Sequence, residues 1–387
     1  MIMTQRKICV VITARPSYSR IKTALEAIRD DPALELQLVV AASAVLSRYG
    51  NVLDQIVEDG FKVTERVFMV LEGQNPTSMA KTTGLGLLEL ATTFSNLKPD
   101  VVVTIADRFE TIATAIAGAY MNIAVAHVQG GEVTGSIDEK VRHSVTKLSD
   151  IHLVASELAR ERVIRMGESP ETVFRTGCPS VDLASEVLAH PNQDFDPMEK
   201  YTGVGPKLDL SAGYIVVMQH PVTTEYDESR KHVRQTLEAM TRQELPVLWF
   251  WPNSDAGSDG TSAGIRQFRE QGSASRIHFY KNMAPQDFLR LLLGSRCLVG
   301  NSSVGVRECA FLGVPVVNIG TRQSGRERGK NVVDVDYDVE AIVSAVARQS
   351  KIRRYESDPL YGDGNAGTQI AKVLRELPLT NQKRLQF

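Results

Sequence analysis

Short apolar runs alternate with amphipathic stretches along most of the chain. In the first half the runs at residues 8–13, 36–42, 101–105, 123–128 and 151–155 are rich in β-branched side chains and read as strands. Each is separated from the next by a segment of helical length or a polar loop. These runs are apolar at successive positions, not alternate ones, so both faces of each strand are expected to be covered. Buried strands interleaved with helices predict a parallel sheet packed on both sides, a doubly wound domain.

Between about Gly177 and Leu210 this rhythm lapses into Cys178-Pro179, His190-Pro191, Asp196-Pro197 and Gly203-Val204-Gly205-Pro206, a stretch dense in helix and strand breakers. Strands then resume at 214–218, 247–251, 277–279, 297–299 and 314–319, alternating with helical patterns such as 285–293 and 339–347. The expected organisation is α/β: a doubly wound (Rossmann-like) domain over 1–177, a linker over 178–210, and a second doubly wound domain over 211–362. In open α/β sheets ligands bind beyond the carboxyl ends of the strands, so two such domains facing one another would enclose a ligand in a cleft.

Composition narrows the function classes. The 387 residues exceed a typical single domain, and 43% hydrophobic with 23% charged residues is ordinary globular usage, which argues against disorder. A net charge of −2 gives no global attraction to nucleic acid or anionic lipid, so a basic site would have to be local. Cys9, Cys178, Cys297 and Cys309 are scattered without C-x-x-C spacing and read as buried thiols of a reducing compartment. Residues 8–12 behind Arg6 and Lys7 are too few for a signal-peptide core, and no apolar stretch reaches the length of a membrane span. A cytoplasmic protein is expected.

Polar residues collect just after the apolar runs. The first run ends at Thr13-Ala14-Arg15-Pro16-Ser17-Tyr18-Ser19, with Arg15 available to an anion and Ser19 near the next helix start. The run 101–105 leads into Ala106-Asp107-Arg108-Phe109-Glu110, where Asp107 and Glu110 have the spacing of a capping box with Asp in place of Ser or Thr. The next run enters His127-Val128-Gln129-Gly130-Gly131-Glu132, followed by Asp138 at the expected start of a helix; two adjacent glycines, a histidine and several carboxylates exceed what a turn needs. Asp138 also suits an N-cap.

In the second half His220 follows a buried run and precedes Pro221, which turns the chain outward. The segment Leu298-Val299-Gly300-Asn301-Ser302-Ser303 runs into a helical pattern containing Glu308, an arrangement that would offer backbone N–H groups to a phosphate and a carboxylate to vicinal sugar hydroxyls. Simple capping by Ser302 or Ser303 is the competing reading. Arg322, Arg326 and Arg328 follow closely, and their fork-shaped donors suit a diphosphate. No His/Cys spacing resembles a zinc site, and neither a G-x-x-x-x-G-K-[ST] nor a G-x-S-x-G element is present, so no metal, P-loop or serine-hydrolase chemistry is expected.

Taken together, the segments ARPSYSRIK, ADRFE, HVQGGEVTGSIDEKVRHSVTK, QHPVTTEYD, WPNSDAGS, GNSSVGVRE and GTRQSGRERGKNV make the chain resemble the UDP-N-acetylglucosamine 2-epimerases, above all the hydrolysing branch of sialic (nonulosonic) acid biosynthesis. The resemblance implies the glycosyltransferase-B architecture, with a final helix at 363–387 returning to the first domain. It implies loss of UDP by elimination across C1–C2, then hydration of the 2-acetamidoglucal to N-acetylmannosamine, with no cofactor. The family's essential acids map onto Asp107 and Asp138. A third maps onto Gln129, a departure, because an amide exchanges no proton at neutral pH; Glu132 or a nearby histidine is then the candidate replacement.

By the same correspondence the substrate contacts fall on Arg15, Ser19, Arg108, Gln129, His220, Asn253, Met283, Ser302, Ser303, Glu308 and Arg322, with His220 at the diphosphate and assisting the leaving group, and the Met283 backbone near uracil. The implied partners are a UDP-sugar and further copies of the chain, as a dimer or tetramer. Alternatives carried alongside are hydrolysis of UDP-2,4-diacetamido-2,4,6-trideoxyglucose on a route to legionaminic acid, a non-hydrolysing epimerase, a glycosyltransferase, and a nucleotide-sugar binding protein.

Overall fold

The computed structural model describes residues 5–47, 52–73, 75–106, 108–134, 137–192, 194–252, 257–272, 274–380 and 382–386. It divides into two compact units, the first made of Met1–Glu132, Ile137–Asp182 and Tyr361–Phe387, the second of Val133–Ser136 and Leu183–Leu360.

The first unit is built on strands β1 (Arg6–Ile12), β2 (Leu34–Ala41), β3 (Val63–Val67), β4 (Val101–Ile105), β5 (Ala124–Val128), β6 (Ile151–Val154) and β7 (Val173–Arg175). They lie in the order β3-β2-β1-β4-β5-β6-β7, all parallel. Both faces are covered, and β1 shows how. Ile8, Val10 and Ile12 pack with Leu25 and Ile28 of the helix Lys22–Asp30 and with Ile370 and Leu374 of the helix Ala366–Glu376. The intervening Cys9 and Val11 pack on the other face with Leu90 and Phe94 of the helix Pro76–Leu97 and with Ala113 and Ala117 of the helix Thr111–Tyr120. Period-two side-chain direction, applied to a run apolar throughout, produces two cores from one strand.

The C-terminal helix of this unit is anchored by one carboxylate. Asp182 accepts from the Ala366 and Gly367 backbone N–H groups at 2.9 and 2.7 Å and from Thr23 Oγ1 at 2.7 Å. It satisfies helix-start donors from outside the helix. Gly367 is required by the close approach, since a Cβ there would meet the Thr23 carbonyl carbon at 2.5 Å.

The second unit contains β8 (Gly203–Val204), β9 (Ile215–Met218), β10 (Val247–Phe250), β11 (Ile277–Tyr280), β12 (Cys297–Gly300), β13 (Val316–Ile319) and β14 (Val332–Val335). Their order is β14-β13-β12-β9-β10-β11-β8, parallel except for the antiparallel β8. Ile215 and Val217 face Val233 and Leu237 of the helix Ser229–Thr241 and Ile342 and Val346 of the helix Val339–Gln349. Val216 faces the opposite core with Leu289 and Leu292 of the helix Pro285–Gly294 and Leu183 and Val187 of the helix Pro179–Ala189.

Four strands have no counterpart in the apolar-run reading: β3, β7, β8 and β14. All but β8 are parallel edge strands, and β8 is the antiparallel edge of the second sheet. An edge strand has one neighbour and need not be apolar on both faces, and Thr64, Glu65 and Arg66 of β3 are exposed. The breaker-rich stretch contains the helices Pro179–Ala189 and Pro197–Lys200, each opened by a proline at a position where its missing N–H is harmless. No helix among the described residues is long and apolar enough to cross a membrane.

Candidate functional site

In the first unit the strand order reverses between β1 and β4, so the loops leaving their carboxyl ends border the crevice where doubly wound sheets bind ligands. After β1 the chain enters a five-residue helix, Arg15–Ser19, which opens with Arg15 and closes with Ser19, whose Oγ donates to the Pro16 carbonyl at 3.1 Å. After β4, Ala106 adopts a left-handed conformation with φ of 61°. Asp107 lies outside the described residues. Arg108 pairs through Nε with Glu110 Oε1 at 2.8 Å, and Glu110 is buried. The capping-box reading of this segment does not hold: the helix begins at Thr111, Glu110 is its N-cap, and the Glu110 side chain makes no cap bond. Its carboxylate is used on the arginine instead.

After β5, Gln129 also sits in the left-handed region, at φ 67°, fully buried, with its Nε2 donating to Cys178 Sγ at 2.8 Å. Glu132 is buried as well, and its carbonyl accepts from Arg142 Nη1 at 2.8 Å. Asp138 is the second residue of the helix Ile137–Leu148, half-buried in its first turn, so it lies inside the helix and not at the N-cap. An acid in the first turn is favoured there by the helix dipole. Asp138, Arg142 and Thr146 recur every four residues and share one helix face.

His127 is the fourth residue of β5. It is fully buried, with Nε2 2.9 Å from the Ala106 carbonyl oxygen and Nδ1 3.1 Å from Thr146 Oγ1. Burial pushes its pKa down to about 3, which keeps the ring neutral.

In the second unit the reversal falls between β9 and β12. Gly300 ends β12 at φ 130°, and a Cβ there would lie 2.1 Å from the Met218 carbonyl oxygen; only glycine lets the two strand ends close up. The fully buried Asn301 then binds both backbone groups of His220, accepting from its N–H at 2.7 Å and donating to its carbonyl at 2.8 Å. His220 itself is buried.

Ser302 accepts from the Val304 N–H at 3.4 Å, and Ser303 opens a single 3₁₀ turn, Ser303–Gly305. A continuous helix from the serines is not formed. The α-helix starts at Glu308 and lasts four residues, to Phe311, because Gly305 and the flanking valines favour a break and Gly313 at φ 65° ends the segment. Glu308 is buried, and its Oε2 has no partner among the described residues.

The three arginines separate. Arg322 Nη1 and Gln323 Nε2 both donate to the Asn301 carbonyl, at 3.1 and 2.9 Å, so Arg322 is tied to the serine loop. Arg326 is buried with Nη1 donating to Gln323 Oε1 at 2.9 Å, and Arg328 forms an ion pair with Asp334. Arg322 and Gln323 are thus tied to the residue that directly precedes Ser302 and Ser303. Met283 is buried in the core, and its N–H bonds the Asn282 Oδ1 at 2.9 Å. Asn253 lies outside the described residues.

Arg142 and Thr146 were not singled out by the sequence reading, whereas His127 and Asn301 were noted within their segments without a role of their own. The four-residue spacing of Arg142 and Thr146 from Asp138 is a signal present in the sequence. Nothing in the sequence distinguishes Asn301 from a surface turn residue, because its role depends on a strand 81 positions away.

The model of the family described as UDP-N-acetylglucosamine 2-epimerase matches residues 26–375. Among curated proteins the chain is 32% identical to UDP-N,N'-diacetylbacillosamine 2-epimerase (hydrolyzing) of Legionella pneumophila, over 97% of each chain. It is 29% identical to UDP-N-acetylglucosamine 2-epimerase of Neisseria meningitidis, over 94% of this chain and 92% of that one. Among solved structures it is similar in fold to UDP-GlcNAc 2-epimerase from Neisseria meningitidis bound to UDP-GlcNAc, with a TM-score of 0.77, 17% identity, and coverage of 95% and 99% of the two chains.

Proposed function

The chain belongs to the UDP-N-acetylglucosamine 2-epimerase family, and on that premise we propose that it is a hydrolysing 2-epimerase of a UDP-linked 2-acetamido sugar. The observation that carries this reading is the near-full-length similarity to a relative named as hydrolysing. The reaction consumes a UDP-sugar and water and yields UDP and the free C2 epimer. A base takes the C2 proton as the C1–O bond to UDP breaks, leaving a C1=C2 double bond; water then adds its oxygen at C1 while an acid returns a proton to C2 from the other face.

In this reading Asp107 and Asp138 exchange the protons, and Glu132 supplies the acid that Gln129 lacks. Arg15, Ser19 and Arg108 from the first unit and His220, Ser302, Ser303 and Arg322 from the second serve the diphosphate, with His220 easing the departure of UDP. Glu308, whose second carboxylate oxygen is without a partner among the described residues, takes the ribose hydroxyls. Asn253 and the backbone at Met283 complete the nucleotide contacts. Four buried cysteines fit a reducing compartment, and the proposal places the enzyme in the cytoplasm as a homo-oligomer.

UDP-N-acetylglucosamine, giving N-acetylmannosamine for sialic acid synthesis, is the first substrate in this reading. A second is favoured by the 32% identity to the Legionella protein: UDP-N,N'-diacetylbacillosamine, which carries a second acetamido group at C4. Incubation with each sugar nucleotide, followed by NMR of the products, tests the proposal. Free 2-epimer together with UDP is the expected result. Recovery of the UDP-linked epimer without free sugar would overturn the hydrolysing assignment, release of UDP only with an added acceptor would indicate a transferase, and tight UDP binding without product a binding protein.

A further inference from the structure

His127 has no place in the roles above, yet both of its ring nitrogens are used. A backbone carbonyl only accepts, so Nε2 carries the proton it shares with Ala106. Nδ1 of the neutral ring is then an acceptor, and the Thr146 hydroxyl donates to it. Burial, with smaller contributions from His152 and His143 and against the opposing Ala106 bond and Glu132, holds the ring neutral. The tautomer is thus set by geometry. Gly130 leaves the room for it, since a Cβ there would stand 2.9 Å from His127 Nδ1 and 3.0 Å from Thr146 Oγ1.

The two ends of this bridge lie on the elements that carry the proposed acids. Ala106 closes β4 in a left-handed conformation and directly precedes Asp107 in the sequence. Thr146 lies about two turns along the helix Ile137–Leu148 from Asp138, on the same face. We infer that His127 is a positioning residue, a buried brace between the carboxyl end of β4 and the helix bearing Asp138, through Ala106 on one side and Thr146 on the other. The inference rests on the hydrolysing 2-epimerase reading. Elimination and hydration need acid and base groups held to within a fraction of an ångström; β4 is already paired with β5, and the helix packs on Ala115 and Val125 through Val141 and Val145, and the buried bridge adds a directional link between the strand end and that helix.

The test uses the full chain with Thr146→Val, which removes the hydroxyl at constant shape, Thr146→Ser, which restores it, and His127→Gln, which keeps a donor for Ala106. Thr146→Val and His127→Gln should lower kcat by roughly tenfold to a hundredfold with KM and the UDP dissociation constant nearly unchanged, and Thr146→Ser should recover most of the rate. Nitrogen-15 shifts of the His127 ring should show a protonated Nε2 and an unprotonated Nδ1. An Nδ1–H tautomer, a wild-type kcat in Thr146→Val, or a loss of kcat matched by equal losses of UDP affinity and thermal stability would each overturn the brace. Should the wild type turn over neither UDP-sugar, the functional reading fails while the brace is still decided without substrate. Thr146→Val should then raise amide exchange at residues 131–134 and 137–141 and leave the second unit unchanged, and unaltered exchange would refute it.

Discussion

Asn301 clasps His220 with its side-chain amide, taking the His220 N–H at 2.7 Å and giving a proton to the His220 carbonyl at 2.8 Å. The Asn301 carbonyl in turn accepts from Arg322 and Gln323. One buried residue thereby joins the loops that follow β9, β12 and β13.

Asn301→Ala removes both amide bonds from a buried site and should cost roughly 1–3 kcal/mol of stability. Because the same bonds set the backbone of His220 against the serine loop, UDP affinity should fall as well. Urea unfolding and isothermal titration with UDP measure the two effects. An unchanged UDP dissociation constant would mean that the loops hold their arrangement without the clasp.

Gln129→Glu would replace the amide that donates to Cys178 Sγ with a carboxylate that accepts only. Burial of an ionised group beside a weak donor should destabilise the first unit by about 1–3 kcal/mol, so an acid at this position should not raise turnover. Thermal unfolding and kcat decide it. A faster variant of wild-type stability would show that residue 129 is free to serve as an acid.

Glu168 is buried beneath two ammonium groups and a histidine: Lys147 Nζ at 2.5 Å, Lys383 Nζ at 2.6 Å and His152 Nε2 at 3.1 Å. Burial pushes its pKa upward, but the hydrogen bonds from His152, Lys147 and Lys383 outweigh that and bring it from an ordinary 4.5 down to about 2. A depressed carboxyl pKa means that the unfolded chain binds the proton first, so the stabilisation is complete above about pH 4.5 and is lost as pH falls toward 2. Glu168→Gln should therefore be less stable than wild type at pH 7, with the gap narrowing as pH falls through that window. Urea midpoints at several pH values check this, and a gap independent of pH would refute it. Gln386, whose N–H bonds the Gly167 carbonyl at 3.0 Å, should lose protection from exchange in the same variant.

Asp182→Ala strips three acceptor bonds from the start of the helix Ala366–Glu376 and from Thr23. The helix should remain packed through Ile370 and Leu374 but open locally, with amide protection at its first turn reduced about tenfold or more. Hydrogen exchange followed by mass spectrometry reads this directly. Full protection in the variant would assign the anchoring to the apolar contacts alone.

The central strands were legible because β1, β4, β5, β9, β10 and β12 are buried on both faces over most of their length and are therefore predominantly apolar at successive positions. Their edges were not, because β3 is largely polar, β14 is only partly buried, and each is a strand through pairing with a single neighbour. At the candidate site the residue types were visible and their local geometry was not. Asp138 was read as an N-cap from its place at a helix start and Glu110 as the second member of a capping box from its spacing, yet Asp138 lies within its helix and Glu110 turns to Arg108, since a capping pattern states a propensity that other side-chain hydrogen bonds override.

The order of apolar and polar residues by itself determined that this is a two-sheet parallel α/β protein, and the motifs along it determined the family, because burial periodicity and ligand-facing residue types are properties of neighbouring positions. The tertiary structure alone decided which polar residues serve as supports. His127, Asn301, Gln129 and Glu168 are identifiable only by partners 16 to 215 positions distant, contacts that exist only once the sheets have formed. Buried polar groups must find such partners or lose stability, so the fold, and not the local sequence, assigned each of them.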